Sequence, residues 1–146
     1  MDNKYITLLQ RLIQTPSISG KEDAVCTMLA EWMTAEGCTP HRVGNNLWAE
    51  CGDGGETILL NAHIDTVKPA ASYTRDPFGG ECDGTTIYGL GANDDGGSVI
   101  AMLAVFMDLL PAPISGKRVV LTLTAEEENS GRNGIELLLP HIGHID

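Results

Sequence analysis

The segment TILLNAHIDTV, residues 57–67, changes character halfway along. Residues 57–62 are a short apolar run, the pattern of a strand buried on both faces. His63 and Asp65 follow directly. At i and i+2 of an extended chain they project to the same side, so the segment reads as a strand delivering an imidazole and a carboxylate at its carboxyl end. Two further segments share this form. TTIYGLGAND (85–94) passes from a short strand into Asp94. KRVVLTLTAEEE (117–128) passes from a buried strand into Glu126, Glu127 and Glu128. Sheets flanked by helices gather their sites at the carboxyl edge of the strands, and here three strand ends carry chemically capable groups.

The remaining segments supply helices for such a sheet. Tyr5, Ile6, Leu9, Leu12 and Ile13 share one helical face over residues 4–14, and Pro16 closes that segment. Ser19 followed by Glu22 has the form of a capping box. Behind it Val25, Met28, Leu29, Trp32 and Met33 recur at helical spacing as a core stripe, with Gly37 as the stop. Residues 38–51 read as a strand interrupted by a turn at Gly44–Asn46, and GDGGE (52–56) as a hairpin-type turn. Residues 69–84 have no period and form a long loop. Residues 98–110 are apolar on every side, as in a helix held between layers or under a lid. Residues 134–142 give a helix with Ile135, Leu138, Leu139 and Ile142 inward and Pro140 cutting into it. The order is helix, helix, hairpin, strand, helix, strand, helix. It predicts an α/β fold with a mixed sheet covered on both faces, without internal repeats or low-complexity segments.

The chain has 146 residues and a formal net charge of −11. That charge argues against nucleic acid or anionic membrane as partner. No apolar stretch approaches the roughly 18 residues of a membrane span, and the start, MDNKYITLLQRLIQT, has no secretory core. Cys26, Cys38, Cys51 and Cys82 are scattered without a CxxC pair and read as free thiols of a cytoplasmic protein. GLGANDDGG (89–97) fails the dinucleotide fingerprint, because Asp94 stands where its third glycine belongs.

Each acidic or imidazole group has a plainer reading. A histidine after a strand is often structural, Asp94–Asp95 can cap a helix, and a glutamate run can be a solvated face. Together they point more sharply, since three neighbouring carboxylates after a buried strand repel one another unless a cation offsets them. Imidazole and carboxylate suit zinc or a similar ion. Asp65 is placed to accept the other ring proton of a ligating His63. A metal centre and a fold that keeps the motifs without catalysis both remain open on these residues alone.

NAHIDTV, YGLGANDDGG and TAEEENSG, in this order and spacing, resemble the M20 metallopeptidase family. NAHIDTVKP, DPF, YGLG and the glutamate run followed by SGRNG are most similar to its acetylornithine deacetylase group. The resemblance spans essentially the whole chain. It implies a three-layer α/β/α zinc-hydrolase fold, incomplete here, and a centre of two zinc ions, with cobalt in some relatives. It implies His63 as ligand of one ion, Asp65 as the acidic support of its imidazole, Asp94 as bridge, Glu127 as general base and Glu128 as ligand of the second ion. Glu126 takes the place of the family's Asp in Asp-Glu-Glu, with Glu126/Glu127 as the alternative pair. Where relatives often carry a lysine two residues after the bridging Asp, this chain has Gly96.

The implied activity is hydrolysis of the amide bond of an N-acyl amino acid such as N-acetylornithine, in amino-acid biosynthesis, with dipeptidase or aminoacylase activity as the alternative. Residues 1–146 would be the amino-terminal part of the catalytic domain. A lid domain, through which the intact protein would form a homodimer, and the carboxyl-terminal part of the catalytic domain would lie outside them. With one terminal ligand per ion and a bridge, this chain alone is expected to have little or no activity.

Overall fold

A computed structural model describes residues 3–146, with Met1 and Asp2 outside the described residues. The elements are α1 (Asn3–Gln14), α2 (Asp23–Ala35), β1 (His41–Val43), β2 (Asn46–Gly52), β3 (Glu56–His63), β4 (Glu81–Cys82), β5 (Ile87–Tyr88), α3 (Gly96–Leu109), β6 (Lys117–Thr124) and α4 (Ile135–Ile142). Helix α2 arises from the apolar stripe expected of it, whereas in α1 Leu8, outside the expected stripe, is buried and Ile6 and Leu9 are half-buried. Tyr5, Leu8, Leu12 and Ile13 of α1 are buried, as are Val25, Met28, Leu29 and Met33 of α2. The end of α2 folds back through Cys38 N–H to the Met33 carbonyl and Gly37 N–H to the Thr34 carbonyl, a Schellman closure. Its start departs from expectation. Glu22 is the N-cap and makes no side-chain cap bond, and the Ser19 hydroxyl donates to Asp65 instead.

The main sheet has the order β1-β2-β6-β3, with β6 antiparallel to β2 and parallel to β3. The sheet is mixed, as expected, but GDGGE is no hairpin turn. β6 inserts between β2 and β3, so the 53–55 link must cross beneath the start of β6. Two glycines make that crossing possible. A Cβ on Gly52 or Gly55 would lie 2.0 or 2.1 Å from the carbonyl oxygens of Lys117 and Gly116, and both residues have positive φ.

Side chains of β6 alternate between two apolar layers. Val119, Leu121 and Leu123 meet α1, α2 and α3, including the fully buried Phe106, while Val120 meets Leu138 and Ile142 of α4. This is the expected three-layer α/β/α architecture. Burying a leucine- or phenylalanine-sized side chain contributes about 1.5–3 kcal/mol, so each inward residue of β6 adds to the packing of the layer it faces.

Three expectations are corrected. β3 is an edge strand rather than one buried on both faces, and Ile58 is 41% exposed. Helix α3 is an outer layer, not a helix held between two. Its Val99, Ile100, Leu103 and Phe106 face inward, and Val105 is 52% exposed. In α4, Leu139 faces solvent and Leu138 and Ile142 alone are buried.

One buried polar residue ties hairpin to site. Asn46 is fully buried; its amide nitrogen donates to the carbonyls of Val43 and Asn133, and its amide oxygen accepts from Ala125 N–H. Removing it strands the buried Ala125 N–H and takes a partner from the Val43 and Asn133 carbonyls. Asn46→Ala is therefore expected to lower unfolding free energy by about 2–3 kcal/mol, measured by urea denaturation, with the 125–134 loop the first region to lose hydrogen-exchange protection.

Candidate metal centre

The parallel pairing of β3 with β6 sets the frame of the site. His63 is opposite Thr124, and Ile64 N–H donates to the Thr124 carbonyl at 2.8 Å. The residues after both strands therefore emerge side by side. Asp94 arrives differently. β5 pairs only with β4 in a separate two-stranded ribbon, so the expected third strand end is absent. Asp94 sits in the turn that leads into α3, and the next residue holds that turn against the sheet, with the Asp95 carboxylate accepting from His63 N–H at 3.1 Å.

Asp65 lies beneath the site, 1% exposed. It accepts from Ser19 Oγ at 2.7 Å, from Glu127 N–H at 3.0 Å and from Glu128 N–H at 3.1 Å. His63 Nδ1 lies 3.0 Å from the Asp65 carbonyl oxygen and 3.4 Å from its Oδ1. With two acceptors there, Nδ1 carries a proton. Burial works to raise the Asp65 pKa, but His63, Ser19 and the two amides outweigh it and hold the carboxyl below its usual range.

Above this base, His63 Nε2 lies 3.1 Å from Asp94 Oδ1 and 3.8 Å from Glu127 Oε2. One donor atom each from His63, Asp94 and Glu128 falls within 4.8 Å of the others. The three adjacent glutamates go to different places. Glu126, at φ 57°, turns its carboxylate back onto Asn133, accepting from its backbone N–H at 3.1 Å and its side-chain amide at 2.9 Å. Glu127 leans toward His63. Glu128 joins the donor cluster and lines a cavity of about 310 Å³ with Thr66, Val67, Tyr73, Gly91 and Asp94.

The donor set fits a divalent ion. An imidazole and two carboxylates converge, and among the described residues His63 is the only cation paired with Asp94 or Glu127. Glu128 has its pKa raised by burial and then by the Asp94 charge, so the cluster is under like-charge stress. His63 relieves part of it by protonation. The Asp65 carboxylate first, with Asp94 adding to it, lifts its pKa from 6.5 to about 9 against the opposing effect of burial.

The sequence-predicted residues His63, Asp65, Asp94, Glu127 and Glu128 are thus gathered in one place, and Glu126 faces away. Ser19 and Asp95 touch the same constellation and were not singled out from sequence. Ser19 carried a competing local reading as a cap, and Asp95 gave no sign separating it from Asp94.

Residues 59–145 match the model of peptidase family M20/M25/M40. The chain is 33% identical over 151 residues to a succinyl-diaminopimelate desuccinylase of Methylorubrum populi, covering 94% of this chain and 39% of that protein. It spans about two fifths of the length of such curated relatives. Among solved structures it is similar to the M20 family metallo-carboxypeptidase Sso-CP2 of Sulfolobus solfataricus, with TM-score 0.73 and 27% identity over 88% of this chain and 32% of that one. The fold is also that of the YXEP protein of Bacillus subtilis, a dinuclear metal-binding M20 peptidase, with TM-score 0.70 and 22% identity over 94% of this chain and 38% of that one. The chain belongs to peptidase family M20/M25/M40.

The metal-free geometry sets a pH dependence. The folded pKa of His63 lies above its unfolded value, so its proton stabilises the fold fully below about pH 6.5, and that contribution fades as pH rises through about 9. NMR titration of the metal-free chain is expected to place the His63 midpoint near 9, and Asp65→Asn is expected to move it back toward 6.5.

Proposed function

We propose that this member of peptidase family M20/M25/M40 is the amino-terminal part of the catalytic domain of a metal-dependent hydrolase that cleaves the amide bond of an N-acyl amino acid. The observation carrying the reading is the convergence of His63 Nε2, Asp94 and Glu128 with Glu127 beside them. The metallo-carboxypeptidase and dinuclear relatives support a metal, with zinc the first choice from the donors and cobalt the second. The desuccinylase relatives support an acyl amino acid substrate. The motif resemblance favours an acetylornithine-like member of that class. The intact protein would be a cytoplasmic enzyme of amino-acid biosynthesis, dimeric through a lid domain outside residues 1–146.

His63, with Nδ1 protonated toward Asp65, would give its Nε2 lone pair to one ion, Glu128 would give a carboxylate to a second, and Asp94 would be shared between them. Bound there, a divalent ion supplies acidification of water and polarisation of a carbonyl. Glu127 takes the proton from the attacking water and returns it to the leaving amine nitrogen. Its side chain is 60% exposed and makes no bond that would hold it from that task among the described residues. Glu126 is engaged by Asn133 and is excluded from it.

Two measurements test this. In zinc titration calorimetry the 146-residue chain should bind weakly, and His63→Ala or Glu128→Gln should abolish the heat. In a polypeptide carrying this chain at the full length of its relatives, hydrolysis of N-acetylornithine and N-succinyl-diaminopimelate should exceed that of a dipeptide. There Glu127→Gln should lower kcat by roughly 10²–10⁴-fold with metal retained, and Glu126→Gln should leave kcat within a few-fold. Equal losses in the two variants would overturn the assigned register; preference for the dipeptide would move the activity to the dipeptidases.

A further inference from the structure

The segment between α1 and α2 contributes no ligand, yet it reaches the centre of the site. Residues 17–19 run beside residues 65–67 as a short parallel bridge. Ile18 pairs with Thr66, Thr66 N–H donates to the Ser17 carbonyl at 2.9 Å, and Ser19 N–H donates to the Thr66 carbonyl at 3.1 Å. This bridge fixes the Ser19 backbone and leaves its hydroxyl facing Asp65 at 2.7 Å, the shortest of the contacts to that carboxylate.

We infer that Ser19 is a positioning residue, whose hydroxyl fixes the Asp65 carboxylate in the rotamer that serves His63 and the Glu127–Glu128 backbone together. The argument is geometric. Asp65 Oδ1 accepts from Glu127 N–H and faces His63 Nδ1, whereas Oδ2 accepts from Glu128 N–H and Ser19 Oγ. Among the described residues every other donor to this carboxylate belongs to the strand ends that carry the candidate ligand and base. Ser19 is, among the described residues, the one donor from outside them, anchored independently through the 17–19 bridge. A carboxylate rotates about its χ2 bond with little resistance. Without Ser19 its orientation would be set only by the groups it is meant to orient. With Ser19 the plane is held from a third direction, and the imidazole and the two amides are aligned to a fixed reference.

Two consequences separate this role from general packing. The first needs no metal. In the metal-free chain, Ser19→Ala should speed amide exchange at Glu127 and Glu128 by about tenfold or more. It should also shift the ¹⁵N signals of the neutral His63 ring, observed above its titration midpoint, toward a mixture of tautomers. Exchange at Leu121 in the centre of β6 should stay unchanged. Ser19→Thr, which keeps the hydroxyl, should restore the parent values, and Ser19→Ala placed on Asp65→Asn should add nothing further. The second consequence rests on the metal-centre reading: zinc affinity should fall on the order of tenfold in Ser19→Ala and recover in Ser19→Thr. Unchanged exchange at Glu127 and Glu128, equal loss of protection across the chain, or no recovery with threonine would each overturn the role of Ser19. Failure of the parent chain to bind zinc would overturn the metal reading and leave the exchange and ring-nitrogen results to decide the positioning role.

Discussion

A carboxylate taken out of water is costly unless its oxygens are met by donors, and Asp65 is almost wholly buried. Its donors come from three separated parts of the chain: Ser19 before α2, His63 at the end of β3, and the Glu127 and Glu128 amides after β6. None of these segments can move away without leaving charge uncompensated. The requirement for a satisfied Asp65 is therefore also a requirement that the three converge. That convergence brings the His63 imidazole, the Glu127 carboxylate and the Glu128 carboxylate to one place. The depressed pKa of Asp65 expresses the same fact.

The sheet makes this convergence possible through register. β3 and β6 pair in parallel over their whole length, from Glu56 opposite Lys117 to His63 opposite Thr124. A slip of one residue would turn His63 to the other face of the sheet and withdraw it from the glutamates. The register is held at the far end by the 53–55 crossing, where Gly52 and Gly55 press against Lys117, the first residue of β6, and Gly116 before it. It is held at the near end by Asn46, whose amide accepts from Ala125 and donates to Asn133, bracketing the loop that carries the glutamates. Glycines with no functional group thus fix where an imidazole emerges some seven residues away.

Much of this was readable from sequence because it rests on local pattern. The apolar stripes of α1 and α2, the apolar run of β6 and the polar groups that follow β3 and β6 each announce themselves over a few neighbouring residues. What was not readable depends on which strands become neighbours. GDGGE has hairpin composition, yet a third strand enters between its arms, since pairing partners are chosen by burial of the whole sheet. β3 has the apolar content of a central strand, yet it lies at the edge with Ile58 exposed. TTIYGLG has strand composition, but its pairing is spent on the short β4 ribbon, so Asp94 reaches the site on a turn. Ser19 is the sharpest instance. Its spacing to Glu22 favours a local cap, but the buried Asp65 offers its hydroxyl an ionised acceptor, and a charge-assisted hydrogen bond is the stronger alternative.

Three glutamates in a row are chemically the same residue, and only the backbone distinguishes them. At Glu126 the chain takes a left-handed conformation that costs an ordinary residue about 1–2 kcal/mol. The bonds from Asn133 offset that cost, and Gly131 permits it, because a Cβ there would lie 2.0 Å from Glu126 Oε2. This single turn sends the first carboxylate outward. The next two amides then point down to Asp65, which sends their side chains up beside His63 and Asp94. One carboxylate is thereby removed from the cluster and the other two are added to Asp94. Burial, and then the Asp94 charge beside it, raises the Glu128 pKa, while the Asp65 carboxylate, with Asp94 adding to it, raises that of His63. A divalent ion would balance the charge of Asp94, Glu127 and Glu128 while displacing the His63 Nε2 proton, which is the sense in which this donor set fits a metal.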